Sequence, residues 1–219
     1  MKSVTKRIYL IDFSLAVLGY ILFVLFDTLN KKLIGSYHVS QIIFVNSLSA
    51  LLPIILFTQS RNAWAKLKKV NLKIHFFRSG LMFLAMLAFI TSAAHLPLVV
   101  MYSVAFTAPL MLTIGANLFL DEKVGWRRYT AIIVGFIGVL ISLDPFNEAL
   151  SKYVLLTFLA PLFVSISWLI VRKHGQTENV YSFLVYGKFF LLLFSGTFLL
   201  INFTTMNLND FLLNFLSGI

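Results

Sequence analysis

Cysteine is missing from this chain of 219 residues, which excludes disulfides and thiolate metal sites. Charge is scarce as well: Asp, Glu, Lys and Arg make up 12%, against roughly 25% in an ordinary soluble domain. No long polar stretch interrupts the apolar runs, so there is no room for a soluble catalytic domain of about 100 residues or more. The four histidines, His38, His75, His95 and His174, stand far apart and offer no metal-ligand spacing. Neither His-Glu-x-x-His nor Gly-x-Ser-x-Gly occurs. Asp12 and Asp27 share one apolar run and Asp144 lies at a boundary, so no intramembrane carboxylates are paired for an embedded protease or lipid transferase. These absences leave an enzyme as the weaker reading, and they leave no metal or cofactor to be expected.

What is present is grease: 59% hydrophobic residues, a mean hydropathy of +0.91 and 23 phenylalanines. A membrane helix needs about 20 mostly apolar residues to cross a roughly 30 Å hydrocarbon core. Seven such segments are predicted, at Ile8–Asn30, Ser40–Thr58, His75–Leu96, Leu98–Leu120, Tyr129–Leu143, Tyr153–Val171 and Tyr181–Phe203. The fold class is therefore an all-α polytopic membrane bundle. The basic amino terminus precedes an apolar run too long for the core of a signal peptide, about 7 to 15 residues, and without a small-x-small cleavage site, so a retained first helix is expected.

The net charge of +10 does not point to nucleic acid, because Lys and Arg sit in short connections beside the apolar runs, where they orient helices and meet lipid headgroups. Lys2, Lys6 and Arg7, then Arg61, Lys66, Lys68, Lys69, Lys73 and Arg78, then Lys123, Arg127 and Arg128, then Arg172 and Lys173 fall on one side. Only Lys31, Lys32 and Lys152 fall on the other, and Lys188 lies within the seventh helix. By the positive-inside rule the amino terminus is expected in the cytoplasm.

Leu98 to Pro145 is the most informative stretch. Tyr102, Phe106, Pro109, Thr113 and Asn117 recur at helical spacing and predict one polar or kinked face turned inward. Ala131, Gly135, Gly138 and Ser142 form a stripe of small residues that predicts a close helix neighbour. The end of the first helix, Asp27-Thr-Leu-Asn-Lys31-Lys32 followed by Gly35, is echoed by Trp168-Leu-Ile-Val-Arg172-Lys173 followed by Gly175, with Asn46 and Tyr186 at matching places beyond. Five helices lie within this offset, and an odd number turns the second copy over, as in the inverted repeats of many secondary transporters. The first repeat is expected over residues 8–145 and a partial second one over 151–219, ending in Phe211–Ile219. At about 1.5 Å per residue that segment spans roughly 14 Å, under half of the hydrocarbon core.

Ala108-Pro109-Leu110, Leu120-Asp121-Glu122, Trp126-Arg127-Arg128 and Gly135-Phe-Ile-Gly138-Val, in that order and spacing, resemble the EamA-type drug/metabolite transporter superfamily, ten-helix carriers built from two inverted five-helix repeats. With Asp27 and Lys31 added, the pattern is most similar to S-adenosylmethionine uptake carriers of intracellular bacteria. The resemblance implies alternating access for a small polar metabolite across the inner membrane, without covalent chemistry or bound cofactor. It also implies a cavity near the midplane. The second alternative is a truncated remnant or regulatory fragment of such a carrier. A second copy of the chain or a complementing fragment is the expected partner if the second half is short. Family members often carry a base in the second helix where this chain has Asn46, which bears on any anionic group recognised there.

The candidate substrate residues are Asp27, Lys31, Asn46, Tyr102, Pro109, Thr113, Asn117, Trp168 and Lys188. Asp27 faces substrate or else pairs with Lys31 one turn on. Lys188 faces substrate or snorkels to the interface. Pro109 opens a backbone carbonyl or simply kinks its helix. Tyr102, Thr113 and Asn117 line the cavity or act as packing glue. Trp168 stacks on a cationic substrate or anchors at the interface. His95 is expected at a solvated helix end, and Glu122 is expected to organise Arg127 or Arg128 in the connecting loop.

Overall fold

The computed structural model describes residues 2–68, 70–143 and 152–218, the side chains of 2–11, 140, 142 and 143 excepted. The expected boundary between repeats, with Asp144 and Pro145, lies outside the described residues, as do Lys69 and the side chains of Lys2, Lys6, Arg7 and Ser142.

Among the described residues there are nine α-helices and no named strand: α1 Lys2–Leu33, α2 Val39–Ser60, α3 Leu72–Ala93, α4 Leu98–Ala105, α5 Ala108–Leu120, α6 Trp126–Leu143, α7 Lys152–His174, α8 Val180–Leu199 and α9 Leu208–Gly218. The starts are set by local chemistry. The side chains of His38, Asn71 and Asn179 accept hydrogen bonds from the Ser40, Lys73 and Ser182 amides, which would otherwise be orphan donors of a helix's first turn. Gly35, at φ +103°, makes the turn between α1 and α2 that an L side chain would strain.

Among the described residues six segments are long and apolar enough to cross a membrane, Asp12–Leu33, Val39–Ser60, Leu72–Ala93, Leu98–Leu120, Lys152–His174 and Val180–Leu199, and the expected Tyr129–Leu143 is not one of them. The predicted fourth helix is the one that differs in shape. It is broken into α4 and α5 at Phe106–Thr107, and Pro109 is the second residue of α5 instead of a kink within one helix. Proline lacks the N–H that would bond back one turn, and its ring clashes with that turn's carbonyl, so a helix starts there more cheaply than it continues.

The connections gather at two ends. At one end Asn179 Nδ2 donates to the Lys66 carbonyl (2.8 Å), the Tyr186 hydroxyl to the Leu67 carbonyl (3.0 Å), and Arg172 pairs with Glu122 (2.7 Å). At the other, Lys31 Nζ donates to the Leu96 carbonyl (2.6 Å), Gln41 Nε2 to the Thr204 carbonyl (2.6 Å) and Tyr37 to Asp210 (2.8 Å), while the exposed His95 ring stacks on Tyr153 at 3.7 Å. The first end carries the basic loops, as the sequence predicts. Glu122 reaches across to Arg172 and not to Arg127 or Arg128, because α7 packs along α5 and brings its last turn beside the loop.

α3 packs on α7 and α8, and α9 packs on α1 and α2. Between them lies the apolar centre of Ile43, Phe83, Ile90 and Leu191. The small-residue stripe of α6 does not do what the sequence predicts: Gly135 meets only the Leu110 side chain, nothing comes within 4 Å of a Cβ placed at Gly138, and the described side chains of α6 are exposed almost throughout. The closest approach is instead at Gly218, where an added Cβ would collide with the Asn46 backbone and the Ser49 hydroxyl.

Two measurements follow from this arrangement. The chain's lack of cysteine makes single substitutions at Ser60 and Ser36 clean probes, and they should label from opposite faces of the membrane, Ser60 from the cytoplasm; labelling from one face contradicts the arrangement. Gly218→Ala should push α9 off α2 and lower stability by about 1–3 kcal/mol in detergent unfolding, the usual cost of overpacking, and an unchanged stability would show that α9 is not seated there.

Candidate functional site between α1, α2, α4 and α9

Near the sparsely charged end, a row of polar side chains is buried where the surroundings are otherwise hydrocarbon-like. Asp27 is 6% exposed, Asn30 and Asn46 2% each, and Asn214 0%. The Tyr102 hydroxyl, from α4, donates to Asp27 Oδ2 at 2.9 Å. One turn further along α1, Asn46 Nδ2 donates to Asn30 Oδ1 at 2.9 Å, and the Ser217 hydroxyl, from α9, lies 2.8 Å from Asn46 Oδ1. Side-chain hydrogen bonds thus join α1 to its neighbour α2 and tie both to the distant α4 and α9. The helical period puts Asp27 and Asn30 on one face of α1, three residues apart.

Burial of unpaired polar atoms is costly, and this row contains several. Both side-chain polar atoms of Asn214 and the Asn30 Nδ2 have no hydrogen-bond partner among the described residues. With the Asp27 carboxylate they give a neighbourhood offering a negative charge, amide donors and amide acceptors, the complement of a small cation that also carries polar groups.

The predicted site residues divide. The structure brings Asp27, Tyr102 and Asn46 into this row. It does not pair Asp27 with Lys31: among the described residues the ion pairs are His75–Glu178 and Arg172–Glu122, and Lys31 caps the Leu96 carbonyl instead. Pro109 and Thr113 stand one turn apart on α5, where the Thr113 hydroxyl donates to the Pro109 carbonyl at 2.8 Å. Asn117 leaves the expected face for the far end, where it donates to the Glu122 carbonyl (2.7 Å) and accepts from Tyr129 (2.9 Å). The break before Pro109 parts Tyr102 and Phe106 from Pro109, Thr113 and Asn117, which stay together on α5. Phe106 is accordingly 64% exposed. Trp168 is 57% exposed and stacks on nothing in the interior. Lys188 sits half-buried on α8, away from this row.

Asn30, Asn214 and Ser217 were missed. Asn30 carried a signal, its spacing from Asp27, and Asn214 carried another, an amide in the middle of an apolar run.

A second buried polar group lies at the basic end. His75, wholly buried, holds Glu178 at 3.2 Å between Nε2 and Oε2, with its ring packed against Phe183 and Tyr186. Glu178 also accepts from the Asn71 amide (2.8 Å) and the Ser182 hydroxyl (3.4 Å). Burial pushes the Glu178 carboxyl up, but these donors outweigh it and hold it below its ordinary value of 4.5. Among the described residues no group of three His, Asp or Glu side chains could hold a metal.

The fold and the intramembrane polar row define a multi-pass, all-α membrane protein. Its relatives are transporters. The chain is 29% identical over 164 residues to the S-adenosylmethionine uptake transporter of Rickettsia felis, covering 74% of this chain and 54% of that protein. It is 38% identical over 80 residues to the riboflavin transporter of Vibrio cholerae, covering 36% and 27% respectively. It is 22% identical over 173 residues to a pseudopaline exporter of Pseudomonas aeruginosa, covering 78% and 60%. The chain thus spans about half the length of the S-adenosylmethionine transporters it matches. The resemblance to drug/metabolite carriers read from its motifs stands on these relatives. No family model and no solved structure matches it.

Two outcomes test the site's energetics. Tyr102→Phe leaves Asp27 buried without its donor and should cost about 1–3 kcal/mol of stability, a loss absent in the Asp27→Asn background if the bond to the charge is what matters. Glu178→Gln should destabilise the fold at pH 7, because a neutral amide is a weaker acceptor than the carboxylate for the Asn71, His75 and Ser182 donors. Because the folded-state pKa of Glu178 is depressed, that stability is present above 4.5 and is lost as pH falls through the lower folded value, so the two unfolding midpoints should converge in acid; a gap that persists there rules out the charge as its source.

Proposed function

We propose that this chain is part of a secondary carrier for a small cationic metabolite of the S-adenosylmethionine kind, working in an inner membrane by alternating access. The observation that carries this reading is the buried carboxylate of Asp27, held by Tyr102 and neighboured by Asn30 Nδ2 and the Asn214 amide, which have no partner among the described residues. A carboxylate inside a membrane helix costs about 2.5–3.5 kcal/mol on insertion scales, so it persists where it has a use. The names of the relatives support a metabolite carrier, and among them the S-adenosylmethionine transporters cover most of this chain.

In this reading the chain carries an inverted repeat. The packing of α3 on α7 and α8, and of α9 on α1 and α2, supports it, since the third helix of each half then lies against the first two of the other. Substrate is attracted to Asp27, with the Tyr102 hydroxyl free to turn from the carboxylate to the ligand. Asn30, Asn46 and Asn214 meet its uncharged polar groups. The amino terminus is cytoplasmic, and a second copy or separately supplied helices complete the enclosure on the side that α4–α6 leave exposed.

Uptake of labelled S-adenosylmethionine by cells expressing the chain tests the reading. Asp27→Asn, which keeps shape and removes charge, should reduce uptake at least roughly tenfold at equal membrane abundance, the scale of about 1.4 kcal/mol of lost attraction. Equal uptake by the variant would remove Asp27 from the site.

A further inference from the structure

Among the described residues, Arg78 and Lys188 are two cations with no counter-ion. Arg78 stands six residues into α3 and Lys188 eight residues into α8, which at about 1.5 Å per residue places them roughly 9 and 12 Å inward from the same, basic end. The two helices pack together, and Gly187, the residue before Lys188, lies against the Arg78 guanidinium. The carboxylate in their neighbourhood is Glu178, and it is already committed to the Asn71 amide, His75 and Ser182. Neither cation takes part in an ion pair among the described residues.

The guanidinium is held in a way that leaves one edge free. Arg78 Nη1 donates to the Phe183 carbonyl at 3.3 Å, and the group lies 5.4 Å from the centre of the Phe183 ring. Its Nε is buried without a partner. Gly187, just before Lys188, makes the fit possible, since a Cβ there would come within 3.0 Å of Nη1. The Nε edge is the one that two oxygens of a carboxylate or phosphate bridge bidentately. Lys188, the residue after Gly187 on α8, brings three donors and makes no ion pair among the described residues.

We infer that Arg78 and Lys188 form an anion-binding site between α3 and α8 that takes a carboxylate or phosphate group, Arg78 through its Nε edge and Lys188 as a point charge. An intramembrane cation is costly without a partner, and two that repel each other are more so, whereas one bound oxyanion neutralises both. The oxyanion comes either from an anionic lipid headgroup reached from the surrounding leaflet, as in basic pockets between membrane helices, or from a free solute entering at the basic end. The site stands apart from the Asp27 row, and its test reads binding, not transport, so it does not share the fate of the carrier reading.

The purified chain in neutral detergent serves as the sample, and its thermal unfolding midpoint is followed during separate titrations with phosphatidylglycerol, phosphatidylcholine, inorganic phosphate and acetate. At least one of the anionic probes should raise the midpoint saturably while phosphatidylcholine does not. Lys188→Gln should weaken the apparent affinity roughly tenfold. Lys188 makes no ion pair among the described residues, so this variant should fold normally, and Arg78→Gln should act in the same direction. Lys152→Gln, at the other end of the molecule, should titrate as the unsubstituted chain does. A response to phosphatidylglycerol alone assigns the site to lipid, and a response to phosphate or acetate assigns it to a free anion. No response to any anionic probe, or one that Lys188→Gln retains in full, overturns the inference.

Discussion

Polar groups in a membrane protein find one another or go unsatisfied, because the hydrocarbon around them supplies no water. The bond between Tyr102 and Asp27 is the clearest instance here, at 2.9 Å between α4 and α1. A phenol and a carboxylate drawn from helices more than 70 positions apart fix how the two lie, and the rest of the polar row depends on that placement. Once α1 presents Asp27 inward, helical spacing brings Asn30 in beside it, and Asn30 can meet Asn46 on α2. Asn46 in turn meets Ser217 on α9, where Gly218 lets the two backbones come close.

The same constraint explains the two ends of the molecule. At the basic end, loop carbonyls and amides are taken up by Asn179, Tyr186 and Glu178 from the other half of the chain. At the opposite end Lys31 and Gln41 do the equivalent work for Leu96 and Thr204. Each of these side chains closes a connection between segments, and Lys31, expected to face substrate or to pair with Asp27, is held by the Leu96 carbonyl. Polar links between distant segments thus supply at the ends the specificity that apolar packing alone would not.

Fold class and end-to-end arrangement were legible because they rest on hydropathy and on the distribution of Lys and Arg, which survive without any knowledge of contacts. Asp27 was legible for the same reason: a carboxylate in an apolar helix stands out alone. The partners were not. Spacing along the predicted fourth helix aligned Tyr102 with Thr113 and Asn117, but that inference assumed an unbroken helix, and Pro109 begins a new one. The α6 stripe of small residues likewise named a capacity for close packing, while Gly218, with no stripe around it, makes the tightest contact. Which helix a glycine meets is decided by tertiary packing, and Glu178 with His75 belongs to the same class: neither residue is unusual until the fold brings them to 3.2 Å.

The central claim is that Asp27 and its neighbours are where the substrate sits. It is tested most directly by photocrosslinking a radiolabelled azido derivative of S-adenosylmethionine to the chain in lipid nanodiscs and sequencing the labelled peptides. Label should fall on peptides of α1 and α4 that contain Asp27 and Tyr102, and an excess of unmodified S-adenosylmethionine should suppress it. Saturable labelling confined to α6, or to the loops of the basic end, would contradict the account.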